Sequence, residues 1–153
     1  MRSVSVRSLR LHVIIGAGLA CAIVAVVSGQ GAPPPSQSVR AGVYTKEQAA
    51  RGEKLYTQMC AECHGDDLTG REQANALAGP EFGAAWEGEP ISGLFVKSRQ
   101  MPPGGTNTLT RPELVDIVSY ILSFNGLKSG TTPLSDEQSV LNTITFEMPP
   151  LTK

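Results

Sequence analysis

The 153-residue chain has few of the side chains that small proteins use for chemistry, with only two histidines and three cysteines. His12 and Cys21 fall within the first 32 residues, so the rest of the chain has only Cys60, Cys63 and His64. Three such groups are too few for a four-ligand zinc site. Aromatic residues make up 5% of the chain and there is one tryptophan, Trp86, which foretells a thin core for a single domain of this length. Basic residues are scarce as well. With Arg2, Arg7 and Arg10 set aside, ten Lys and Arg face 14 Asp and Glu. That balance argues against nucleic acid, which needs basic patches, and permits docking to a positively charged partner. Strand signals are lacking, and the one recurrence is Met101-Pro102-Pro103, seen again as Met148-Pro149-Pro150.

The first residues carry three arginines and no acid, and an almost unbroken apolar run of 17 residues, Leu11 to Val27, follows. Small residues and Pro33 to Pro35 come next. This order reads as an export leader, so residues 1–32 are expected to be a signal peptide or an N-terminal membrane anchor through residues 11–27. Both fates stay open, because 17 apolar residues stand near the lower limit for spanning a bilayer. The expected location is the periplasm or another exported compartment, free or membrane-anchored. Lipid-bearing cysteines follow Leu-Ala-Gly, whereas Gly18 takes the leucine place ahead of Cys21 and six apolar residues still come after it. Cys21 is therefore expected to leave with the leader.

Residues 33–42 are rich in Pro, Ser and Gln and read as a flexible linker, with order expected from about Val43. Thr45-Lys46-Glu47-Gln48 has the capping-box pattern, and Ala49, Gly52, Tyr56 and Met59 follow at helical spacing, predicting a helix over 46–60. Ile91, Leu94 and Phe95 predict a second helix over 91–99. A third starts at the capping box Thr110 to Glu113 and carries the stripe Leu114, Ile117, Val118, Ile121 and Leu122 up to Asn125-Gly126. Between Gly65 and Glu89 there is no periodicity, and a structureless segment that long belongs in a small domain only if it wraps something. In the tail, residues 128–153, Ser135 to Gln138 is a further capping pattern leading into Val140, Leu141, Ile144 and Phe146. This extension is expected to pack back on the body.

Cys60-Ala61-Glu62-Cys63-His64 supplies the guest. A Cys-x-x-Cys followed at once by histidine is the attachment motif of haem c. The thiols of Cys60 and Cys63 form thioethers with the two vinyl groups on one porphyrin edge, and the His64 imidazole binds the iron. A redox dithiol expects a βαβ setting, which this helical pattern lacks. For the second axial ligand, His12 lies in the leader and Met59 adjoins Cys60 on the attachment side, leaving Met101 and Met148. Met101 lies between two predicted helices, with Pro102 and Pro103 fixing its turn and Gly104 and Gly105 allowing close approach. It is the preferred ligand over Met148. Trp86 either donates its indole N–H to a haem propionate or packs in the core. Lys97, Arg99 and Arg111 read as solvated charges, and Asp66 and Asp67 as turn residues rather than a catalytic pair.

Together with Gly79-Pro80, Met101-Pro102 and the helix Glu113 to Phe124, this motif resembles class I c-type cytochromes over about residues 43–127. The stretch Met101 to Gly104 and the run Asp116 to Leu122 are similar to cytochromes associated with bacterial quinoprotein dehydrogenases. The resemblance implies an all-α, small cytochrome c fold, with about three to four helices wrapped around one covalently attached haem and its iron. It implies that the Pro80 carbonyl accepts a hydrogen bond from His64, and that Gly52 and Tyr56 cross the last helix near Ile117 and Tyr120. The expected function is electron transfer by a His64/Met101-ligated haem c, without catalysis. Redox proteins would be its partners, with a quinoprotein dehydrogenase as donor and a terminal oxidase or another cytochrome as acceptor. The rival expectations are a membrane-anchored haem subunit of a dehydrogenase or oxidase complex, and a gas sensor or enzyme with an open iron site.

Overall fold

Two helices cross where one has no side chain to keep them apart. The first, α1 (Lys46–Met59), starts at a capping box in which the Thr45 side chain accepts from Gln48 N and Gln48 Oε1 accepts from Thr45 N. The other, α5 (Arg111–Phe124), starts the same way with Thr110 and Glu113. At the crossing, a Cβ on Gly52 would sit 1.8 Å from the Asp116 carbonyl oxygen, so only glycine permits this approach. Arg51 clamps the same point with two hydrogen bonds to the Asp116 carboxylate, at 2.7 and 2.8 Å. One turn on, Tyr56 and Tyr120 pack with ring centroids 5.2 Å apart.

The computed structural model describes residues 36–72, 74–105 and 107–149. The leader expected over 1–32, with Cys21 and the apolar run 11–27, lies outside these, as do linker residues 33–35. The chain order is β1 (Gln37–Ser38), a 3-10 turn (Val39–Ala41), α1, α2 (Ala61–His64), α3 (Gly79–Trp86), α4 (Ile91–Arg99), α5, α6 (Gln138–Leu141) and β2 (Ile144–Thr145). Among the described residues the fold is all-α but for isolated bridges and the parallel pairing of β1 with β2, which sets Gln37 beside Ile144 and Ser38 beside Thr145. Among the described residues, no helix is long and apolar enough to cross a membrane.

The flexible linker expected over 33–42 is corrected for its described part. Val39 is 0% exposed and joins the core, and Ser38 caps the 3-10 turn by accepting from Arg40 N. One apolar side chain among polar neighbours leaves no periodic trace, yet its burial anchors the segment.

The tail packs on the body through Leu134, Leu141, Ile144 and Phe146, all buried. Gln48, itself buried, ties it to α1: Nε2 donates to Leu134 O at 3.0 Å and Oε1 accepts from Leu134 N at 2.7 Å. Arg111 holds it from α5 by an ion pair with Asp136, while its guanidinium lies over the Phe95 ring. The capping pattern at Ser135 does not start a helix. Ser135 Oγ accepts from Glu137 N in a local turn, and α6 begins only at Gln138. These contacts give the chain more core than its few aromatics suggest.

Candidate haem-binding site

The haem motif lies where α1 ends and the chain turns into α2. Cys60 ends α1, donating its N–H to Tyr56 O, and its carbonyl accepts from both Cys63 N and His64 N. This single turn sets Cys60, Cys63 and His64 along one wall of a cavity of about 640 Å³. Cys60 is half-buried and Cys63 exposed, and neither is in a disulfide. Burial, with a smaller contribution from Cys63, pushes the Cys60 thiol up to about 11, so it stays a neutral thiol at pH 7.

The remaining walls come from three other helices and the loop after α4. Ile117 and Ile121 reach the cavity from α5, Leu94 and Lys97 from α4, and Phe82, Ala85 and Trp86 from α3. Met101, Pro102 and Pro103 close it from the loop after α4. That loop is pinned by Met101 N donating to Ser98 O, by Asn107 Nδ2 donating to the same carbonyl, and by Leu109 N donating to Asn107 Oδ1. The glycine-rich segment after His64 does wrap the cavity, supplying Ala74, Asn75, Ala76 and Leu77. Leu68 plugs it into the core at 0% exposure with a positive φ of 57°. Tyr56 Oη donates to Gly65 O at 2.8 Å, fixing the chain just past the histidine. Burial, aided chiefly by the neighbouring Cys60, raises that phenol's pKa, so it remains a donor.

His64 Nδ1 lies 2.8 Å from Asn75 O. The carbonyl expected from Pro80 is thus a different one. Pro80 is exposed in the first turn of α3 and lines no part of the cavity. The long loop between His64 and Pro80 folds back early, and its Asn75 carbonyl occupies the place. With Nδ1–H donating to this carbonyl, Nε2 keeps its lone pair for a metal. Met148 does not line the cavity; it packs outside α3, where a Cβ on Gly83 would meet its Cγ at 2.5 Å. Met59 does line the cavity, 49% exposed, beside Cys60. Of the three basic residues, only Lys97 lines the cavity.

Asn125 was legible only as a helix stop, yet it holds the site together. Its Oδ1 accepts from Gly79 N at 3.1 Å, and its Nδ2 donates to Leu77 O and Ile121 O, both at 2.9 Å. It thereby joins the end of α5 to the loop and to the start of α3. Asn125→Ala is expected to cost about 1–3 kcal/mol in denaturant unfolding, because these backbone groups lose their partner while part-buried. A loss below about 0.5 kcal/mol would show that water replaces the side chain there.

The donor set suits a haem. Two thiols, an imidazole and a thioether border one largely apolar cavity, whose size falls in the range of cofactor sites. Residues 47–121 match the family described as cytochrome c oxidase, cbb3-type, subunit III. The chain carries a c-type cytochrome domain. The cytochrome domain implies covalently attached haem c with its iron, and haem-based electron transfer. Among solved structures, the sulfane dehydrogenase SoxCD from Paracoccus pantotrophus is similar at 22% identity and a TM-score of 0.46. The similarity covers 67% of this chain and 61% of that one, so the cytochrome chain spans about three-fifths of the SoxCD chain's length. No curated protein matches.

Proposed function

We propose that the protein is an exported electron carrier, not an enzyme, holding one haem c between His64 and Met101. The observation that carries this reading is that Cys60, Cys63, His64 and Met101 border the same cavity. When bound, haem c supplies a one-electron ferric/ferrous couple, whose potential His/Met ligation raises. The chain does the rest. Cys60 and Cys63 tether the ring, and the Asn75 carbonyl orients His64 and raises its basicity as a ligand. Leu94, Ile117 and Ile121 keep water from the interior. The Met101 thioether, on the same cavity, would serve as the second protein ligand to the iron and would close it to small molecules.

Redox proteins deliver and accept the electron. The sequence resemblance supports a quinoprotein dehydrogenase as donor and a terminal oxidase or another cytochrome as acceptor. The apolar run Leu11 to Val27 favours a second reading, a haem subunit anchored by its leader in a dehydrogenase or oxidase complex. Fractionation separates the two: a carrier is released with the periplasm, whereas an anchored subunit stays with membranes after a salt wash. The decisive measurement for either is carbon monoxide binding by the reduced native protein at neutral pH. The expected result is no rapid binding. Prompt formation of a carbon monoxide complex would make the protein a sensor or an enzyme with an open iron site.

A further inference from the structure

The cavity wall formed by α3 is weakly held by the rest of the helical body. The helix has eight residues, no side-chain hydrogen bond at its N-cap, and only slight packing against the other helices. Nevertheless it supplies Phe82, Ala85 and Trp86 to the cavity. Beyond the Asn125 bond to Gly79 N, its support comes from the tail. Phe146, 1% exposed, meets the Phe82 ring edge-on, with centroids 5.5 Å apart and planes at 89°. Phe82 in turn stands 6.4 Å from Trp86. Phe146 lines no part of the cavity itself.

The backbone fixes Phe146 in place. Its N–H donates to Glu89 O at 2.8 Å, and its carbonyl accepts from Gly88 N at 2.9 Å, so it straddles the turn between α3 and α4. Met148 N donates to Glu87 Oε2, and the Met148 side chain rests on Gly83 of α3. β1 pairs with β2 just before Phe146, and just after it Ser38 Oγ donates to Glu147 Oε2 and Arg40 donates to Met148 O.

We propose that Phe146 is a positioning residue for the haem: through Phe82 it presses α3 and Trp86 against the cavity and so limits how much water reaches it. The proposal rests on haem occupying the cavity and does not depend on Met101. Ferric haem carries one more positive charge than ferrous haem, so a wall that yields to water favours the ferric state and lowers the potential. The tail thus tunes the potential from a position outside the cavity.

The test uses the haem-loaded full chain with three variants, Phe146→Ala, Phe146→Leu and Leu141→Ala. Leu141 is fully buried in the tail, on α6, which packs on α4. Because Trp86 is the only tryptophan, its fluorescence, quenched by a nearby haem, reports the position of α3 alone. Phe146→Ala is expected to shift the redox equilibrium about tenfold toward ferric, ~59 mV for one electron, and to raise Trp86 emission several-fold. Phe146→Leu, which keeps apolar bulk but loses the edge-on ring contact with Phe82, should show a smaller shift of both in the same direction. Leu141→Ala should lower the melting temperature and leave potential and emission in place. A Phe146→Ala protein that loses only thermal stability would overturn the proposal, as would equal shifts in Leu141→Ala. If Phe146→Ala cannot be loaded, Phe146→Leu decides: a partial shift toward ferric supports the proposal and an unchanged potential refutes it. Unquenched Trp86 in the unmodified haem-loaded chain would refute the occupied cavity itself, a failure distinct from misplaced axial ligation.

Discussion

Replacing Cys60 and Cys63 together with alanine is expected to yield a protein without haem and with most of its helix lost. Each thiol supplies one thioether, so without both the ring has no covalent hold. The remaining chain then has a cavity of about 640 Å³ and nothing to fill it. At ~24 cal/mol per Å³, a dry void of that size would cost on the order of 15 kcal/mol, as much as a stable domain has in total. The walls must therefore collapse or flood, and α3 and the segment from Gly65 to Ala78 have least else to hold them. Far-UV circular dichroism of the double variant should show the loss, and acid–acetone should extract no haem from the unmodified protein. Free extraction of haem b, or a double variant with full helix content, would contradict the covalent site and its structural role in turn.

The second large effect separates the two Met-Pro-Pro sequences. Met101→Ala is expected to lower the potential, admit carbon monoxide to the reduced protein, and abolish the weak far-red absorption of a sulfur–ferric iron bond. A thioether is a soft ligand that favours ferrous iron, and its loss opens the site. Met148→Ala should keep that band and the resistance to carbon monoxide, since Met148 packs outside α3 and borders no part of the cavity. The opposite pattern, with the band lost only in the Met148 variant, would mean that the tail supplies the ligand.

The parts of the fold legible in sequence are those governed by short-range rules. The capping boxes at Thr45 and Thr110 and the apolar stripe of α5 gave starts and faces that the structure keeps. Helix α4 runs over the residues its spacing indicated, and Cys60, Cys63, His64 and Met101 border one cavity. What escaped was set by backbone geometry or by distant partners. Helix α3 is too short for a period, opens on Gly79-Pro80 and shows just Phe82 and Gly83 to the core, so it looked like loop. The acceptor for His64 is a main-chain carbonyl, a group every residue carries, and only the path of the loop selects Asn75 over Pro80. Val39 gave no warning because the strand that pairs with the residues just before it, β2, lies more than a hundred residues away.

The pairing of β1 with β2 also determines how this domain can be joined to other polypeptides. Gln37 lies against Ile144, and Ser38 and Arg40 bond Glu147 and Met148, so the two ends of the described residues lie side by side. Adjacent entry and exit are what a domain needs to be spliced into a surface loop of a host without stretching it. The domain is thereby shaped as a plug-in module, attachable at one edge whichever of its two flanks carries the join.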